Sequence, residues 1–165
     1  MTDKKVESLK KRLRGDGICT WVIGGFIGIV GLANVMTSLQ MFMDANTAGV
    51  VFEESPAFTL GDGIRGMLLA VVFVLLALIL GEIQKNGKPF TKANCTKLRI
   101  MAIITICCAF VPMLVVSLAG FFDPNATFQL SLEMDDIFFG IAGAIVGIVS
   151  EIFYYGNELQ DEMDS

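Results

Sequence analysis

Seventeen carboxylates, twelve lysines and arginines, four cysteines and no histidine are the groups with which this 165-residue chain could do chemistry. Their placement points away from catalysis. Aspartate-based chemistry inside a membrane needs paired carboxylates facing one cavity, whereas the acids here are grouped at the ends of apolar stretches. Histidine, the side chain that titrates near neutral pH, is missing, and HExxH, GxSxG and P-loop sequences are missing too. Cys19, Cys95, Cys107 and Cys108 include no CxxC pair, so they do not form a zinc pattern and read as structural thiols. The sequence reads as that of a non-enzyme, with no metal and no other cofactor.

Two carboxylates stand apart. Glu82 and Glu151 each follow a long apolar stretch. Each therefore falls at the C-terminal end of a predicted helix, where the macrodipole disfavours an anion. Each is expected to find a cation, either Arg99 or a base of the N-terminal segment. Structural pairing is the reading adopted. A proton or ion relay is the alternative, although carboxylates on such a path lie deeper in a bilayer.

The elements that position these charges are set by hydrophobicity. The chain is 54% hydrophobic and 18% charged, against roughly 45–50% and about 25% for a soluble domain. Crossing a hydrocarbon core of about 30 Å takes about 20 apolar residues in a helix. Four stretches qualify, near 17–43, 64–84, 100–122 and 137–155. The second needs Arg65 and Glu82 to snorkel at its edges, and the fourth is finished beyond Glu151 by a belt containing Tyr154 and Tyr155. The first is too long for a signal-peptide core and has no small-x-small cleavage site, so it is read as a retained helix. The expected fold is all-α: one integral membrane domain, a four-helix bundle in the lipid bilayer.

Lysine and arginine are retained on the cytoplasmic side of short loops. Lys4, Lys5, Lys10, Lys11, Arg12 and Arg14 precede the first span, and Lys85, Lys88, Lys92, Lys97 and Arg99 lie between the second and third. The other two connections hold only Arg65. Both termini and the middle loop are therefore placed in the cytoplasm. The outer segments then carry eight acids against one base, and the inner ones eleven bases against nine acids. The net charge of −5 is mainly an acidic outer face. No outer segment contains cysteine, so no disulfide framework is expected. Asn125-Ala126-Thr127 matches a glycosylation acceptor there, a triplet that also arises by chance.

Local signals add detail. In the basic segment 1–16, Val6, Leu9 and Leu13 recur at helical spacing. The segment is either an anchor on anionic lipid or serves only to orient the chain, and the second reading is adopted. In the middle loop, Asn86-Gly87 predicts a left-handed cap, Pro89 stops the helix, and Thr91 caps the next one. Phe90 is expected to pack at the bend. The acidic tail 156–165 is read as solvated and frayed; the alternatives are folding back on the inner bases or meeting a basic partner. Gly24, Gly28 and Gly31 form one stripe, and Gly140, Gly143 and Gly147 another. Such stripes let backbones approach. They predict helix one against helix four, with homo-oligomer formation through one stripe as the competing reading. Asn34 and Gln40 are expected to bond to neighbouring helices, and Pro112 to kink the third with a freed carbonyl near Cys108.

Two segments resemble a family. Residues 86–99, NGKPFTKANCTKLR, are similar to a G-x-P-F-[ST]-x-x-N-x-x-x-L-R stretch of the bacterial domain-of-unknown-function 2975 family, and residues 152–160, IFYYGNELQ, to its I-F-x-x-G-x-x-L-Q tail. The match takes in Gly87, Pro89, Phe90, Asn94, Leu98, Arg99, Phe153, Gly156, Leu159 and Gln160. The D-x-T ending common in the family is replaced here by Asp164 and Ser165. The resemblance implies a multi-pass protein of the bacterial cytoplasmic (plasma) membrane with no catalytic role for these residues. Because genes of the family often neighbour a small helix-turn-helix regulator, it also implies a soluble cytoplasmic transcriptional regulator as partner, with no direct contact to nucleic acid. The function expected is that of a regulatory or interaction protein working through its inner hairpin and tail, with Glu82 and Glu151 as further candidates. The alternative is a small-molecule permease or export accessory subunit.

Overall fold

The computed structural model describes residues 3–48, 56–122 and 134–164. They form four helices, α1 (Asp3–Ala48), α2 (Pro56–Asn86), α3 (Lys92–Phe122) and α4 (Met134–Asp164). Glu53, Glu54, Asp123, Glu133 and the Asn125 triplet lie outside the described residues, as do the side chains of Val6 and Leu9. All four helices are long and apolar enough to cross a membrane. Their outward faces agree with that medium: Phe26, Ile29 and Phe138 are 68%, 69% and 71% exposed. A water-facing surface would bury such side chains. The chain is a multi-pass membrane protein.

The helices run past the expected spans. α1 is continuous from Asp3 through Ala48, so the basic segment and the first span are one helix. Gly15-Asp16-Gly17 does not break it, and the Thr20 hydroxyl donates to the Asp16 carbonyl at 2.7 Å across this point. α2 starts at Pro56, well before residue 64, with proline at the first helical position where its missing N–H costs nothing. The acidic tail does not fray: α4 continues to Asp164, because no glycine or proline after Gly156 interrupts it.

Pairing of the helices differs from the expectation. α1 packs on α2, α2 on α3 and α3 on α4, whereas α1 and α4 do not meet. The glycine stripes serve neighbours in sequence. A methyl group added at Gly31 would lie 2.8 Å from the Met67 nitrogen and 2.9 Å from the Gly63 oxygen. One at Gly24 would meet Phe73, and one at Gly28 would meet Ala70. On the other side, Gly143 faces the Ile106 and Ala102 backbone of α3, while nothing lies within 4 Å of the Gly140 position. The reason is that α2 brings its own glycines, Gly63 and Gly66, which complete the close crossing with α1. Gly61 of α2 does the same against Pro112 of α3, which stays helical through that proline.

Both edge helices carry a repeat of seven. Gly24, Gly31 and Ser38 on α1 are buried, as are Asp136, Gly143, Ser150 and Asn157 on α4. A period of 3.5 keeps such a seam against a partner that crosses with left-handed twist. Polar members bond across the seam: the Ser38 hydroxyl donates to the Pro56 carbonyl at 2.6 Å, and the Ser150 hydroxyl to the Cys95 carbonyl at 3.3 Å. Asn34 is half-buried and Gln40 exposed, and among the described residues neither supplies such a bond. A hydrophobic core of Ile79, Leu98 and Met101, with Leu76, Val146 and Phe153 around it, ties α2, α3 and α4 together near the α2–α3 connection.

Candidate functional site

The contacts run antiparallel in every adjacent pair, so Asp3 of α1 and Asp164 of α4 lie at the end of the molecule that holds the α2–α3 hairpin. The hairpin is built by local chemistry. Gly87 takes φ 67°, a left-handed conformation, and donates its N–H to the Ile83 carbonyl at 2.8 Å, closing α2. Thr91 starts α3, its hydroxyl accepting the Asn94 N–H at 3.2 Å. The fully buried Asn94 amide donates back to the Pro89 carbonyl at 3.2 Å. Its Oδ1 is buried without a partner. The expected turn is thus present, and Asn94 is its clamp. Asn94→Ala is expected to lower stability by about 1–3 kcal/mol, since it strands the Pro89 carbonyl. Thermal melting in detergent checks this.

Phe90 brings the two motif segments together. Its ring meets Phe153 edge-on with centroids 5.0 Å apart, a favoured aromatic geometry. It also covers Gly156, where a methyl group would come within 2.8 Å of the ring. Phe90, Phe153 and Gly156, far apart in sequence, form one contact. Gly87, Pro89, Asn94 and Leu98 are likewise spent on holding the turn and core. Leu159, 61% exposed, and the half-buried Gln160 lie one turn further along α4.

Both candidate carboxylates find cations. Arg99 donates to Glu151 at 2.8 Å, as expected, whereas Glu82 is held by Lys97 at 2.5 Å and not by Arg99 or an N-terminal base. The register explains this: α1 and α2 pass so that Gly31 faces Gly66 and Gly24 faces Phe73, which sets Glu82 beyond reach of the bases at 10–14. Lys97 is one residue from Leu98, the core side chain that fixes that face of α3 against α2. The Arg99–Glu151 pair is more than half exposed on both sides. Such pairs contribute little. Glu151→Gln is expected to change stability by less than about 1 kcal/mol in the same melting assay.

The opposite end holds a pair that sequence reasoning placed in a loop. Arg65 lies inside α2, is buried, and forms an ion pair with the buried Asp136 of α4. Asp62 adds a contact at 3.8 Å, and the guanidinium lies over the Phe139 ring 5.3 Å from its centroid. Arg65 therefore does not snorkel outward; it turns across the helices. Its Nε is buried with no hydrogen-bond partner. The buried Cys108 thiol reaches toward the Arg65 carbonyl at 4.0 Å. The one signal in the sequence was that Arg65 is the only base between residues 15 and 84.

Among the described residues, no three side chains gather as a metal site. The arrangement offers a rigid, charge-paired hairpin at one end and a buried ion pair at the other. Compared with family models, with curated proteins and with solved structures, the chain gives no match.

Proposed function

We propose that this protein is a non-enzymatic interaction or regulatory protein of the bacterial cytoplasmic membrane. Both termini and the hairpin lie in the cytoplasm, and the hairpin and acidic tail form its working face. One observation supports this above others. Segments 86–99 and 152–160 close on each other through Phe90, Phe153 and Gly156, at the end that carries eleven of the twelve bases. This fixed module leaves Lys85, Lys92 and Leu159 exposed around it. A soluble regulator of the helix-turn-helix class is the partner that the family resemblance implies, with this chain touching the regulator and not DNA.

A photocrosslinker placed at Lys85 or Lys92 in native membranes tests the reading. The expected result is one soluble protein captured at both positions and lost when Gly156→Leu displaces the Phe90 ring. Capture of lipid alone would overturn it. Reporter fusions at residues 85 and 165 test the orientation, both being expected on the cytoplasmic side.

The second reading, a small-molecule permease or export accessory subunit, has one observation in its favour. Arg65 and Asp136 are ionisable groups buried between helices of a membrane protein, where such groups often mark a substrate path. Flux in proteoliposomes that is lost in Asp136→Asn and in Glu82→Gln would favour it.

A further inference from the structure

α1 and α4 are the edge helices, each packed against a single neighbour and not against each other. Both project charge at the hairpin end. On α1, Lys10, Lys11, Arg12 and Arg14 are exposed, and none forms an ion pair among the described residues. On α4, Glu158 and Glu162 are exposed on the stretch that ends at Asp164, which contains no base after residue 151. Because α1 and α4 stay apart, the basic extension and the acidic one do not neutralise each other within one chain. They lie at the same end of the molecule, so two chains side by side in one membrane bring them to the same level.

We propose that this protein associates with a second copy of itself, α1 of one against α4 of the other, with the basic extension of each lying on the acidic extension of its neighbour. Charge complementarity selects the occupant. An anionic lipid surface satisfies only the bases and leaves the acids beside negative headgroups, whereas a second copy satisfies both. The exposed glycine Gly25 of α1, with nothing within 4 Å of it, and the open Gly140 of α4 leave room for close approach once the charges have aligned the helices. A symmetric pair uses the contact twice and closes on itself. The reading is independent of the soluble partner, whose hairpin bases Lys85 and Lys92 belong to other elements.

Depth along the helices supplies a reporter. The exposed Cys19 sits five residues inward of Arg14, and the exposed Ile152 sits six residues inward of Glu158. At a rise of about 1.5 Å per residue, these are depths of about 8 and 9 Å. Ile152→Cys in purified protein reconstituted in neutral-lipid nanodiscs, loaded at two copies per disc, is expected to form an intermolecular disulfide with Cys19 on mild oxidation. Cys19→Ser should abolish it. Raising salt from about 0.05 M to about 0.5 M shortens the screening length severalfold, and the crosslinked fraction should fall severalfold. Glu158→Lys with Glu162→Lys should weaken association about tenfold. Adding Lys10→Glu, Lys11→Glu, Arg12→Glu and Arg14→Glu to that variant should restore it. Crosslinking that ignores salt and both reversals would overturn the proposal, as would a chain that stays monomeric by mass at high loading. Loss of anionic-vesicle binding in the basic reversal, with self-association unchanged, would assign the basic extension to lipid and overturn it equally.

Discussion

Asp136→Ala is expected to lower the stability of the detergent-solubilised protein by about 3–5 kcal/mol, the usual cost of leaving one buried charge alone. Asp136 is only 4% exposed, and Arg65, its partner, is 9% exposed. Removing the carboxylate leaves a guanidinium with the exposed Asp62 at 3.8 Å and the Phe139 ring as its described neighbours. The sign for the double change is different. Arg65→Met with Asp136→Leu removes both charges together, and replacing a buried pair with apolar groups of similar size is often neutral or stabilising. The double variant should therefore recover most of the loss. The measurement is melting followed with a thiol-reactive dye, since Cys95 and Cys108 are buried and become reactive on unfolding. A loss below about 1 kcal/mol for Asp136→Ala would mean that this ion pair is not formed in the folded protein.

Gly31→Ala should be nearly as damaging, through backbone contact and not charge. The added methyl would sit 2.8 Å from the Met67 nitrogen, 2.9 Å from the Gly63 oxygen and 3.0 Å from the Gly66 carbonyl carbon. None of these is the loose end of a side chain. α1 must move off α2 or tilt, and overpacking of this kind costs about 1–3 kcal/mol. Gly31→Leu should exceed it and release α1 to proteolysis. Gly25→Ala is the control, since nothing lies within 4 Å of that position. It should be neutral, or stabilising by up to about 1 kcal/mol from helix propensity. Equal melting temperatures for Gly31→Ala and Gly25→Ala would refute the close crossing.

These two effects sit where sequence reading was weakest. The four helices were legible because a bilayer demands long uncharged runs, and the hairpin because Gly87, Pro89 and Thr91 act on the backbone within a few residues of themselves. The partners of the helices were not. Glycines at 24, 28 and 31 show that some backbone comes close, yet they carry no label for which one. The complementary Gly63 and Gly66 were hidden beside Arg65 at the presumed edge of the second span. Arg65 itself was ambiguous for a related reason: a base near the end of an apolar run reads equally well as snorkelling outward or turning inward. Only the position of Asp136 on α4 decides it. The Glu151 cation was correctly named as Arg99. The Glu82 cation was missed because Lys97 depends on the rotation of α3, which Leu98 and Met101 set through packing.

The unequal lengths of the apolar faces have a consequence for the surrounding lipid. On α4 the exposed apolar face lies between Asp135 and Glu151, both exposed, a height of about 24 Å. On α1 it extends from Ile18 to Met43, both exposed, a height of about 38 Å. A bilayer with a core of about 30 Å is too thick for one flank and too thin for the other. The acyl chains must compress beside α4 and stretch beside α1, or the whole molecule must lean, and each ångström of misfit costs a fraction of a kcal/mol. The protein is thus a wedge in hydrophobic height, and its tilt follows the thickness of the membrane that holds it.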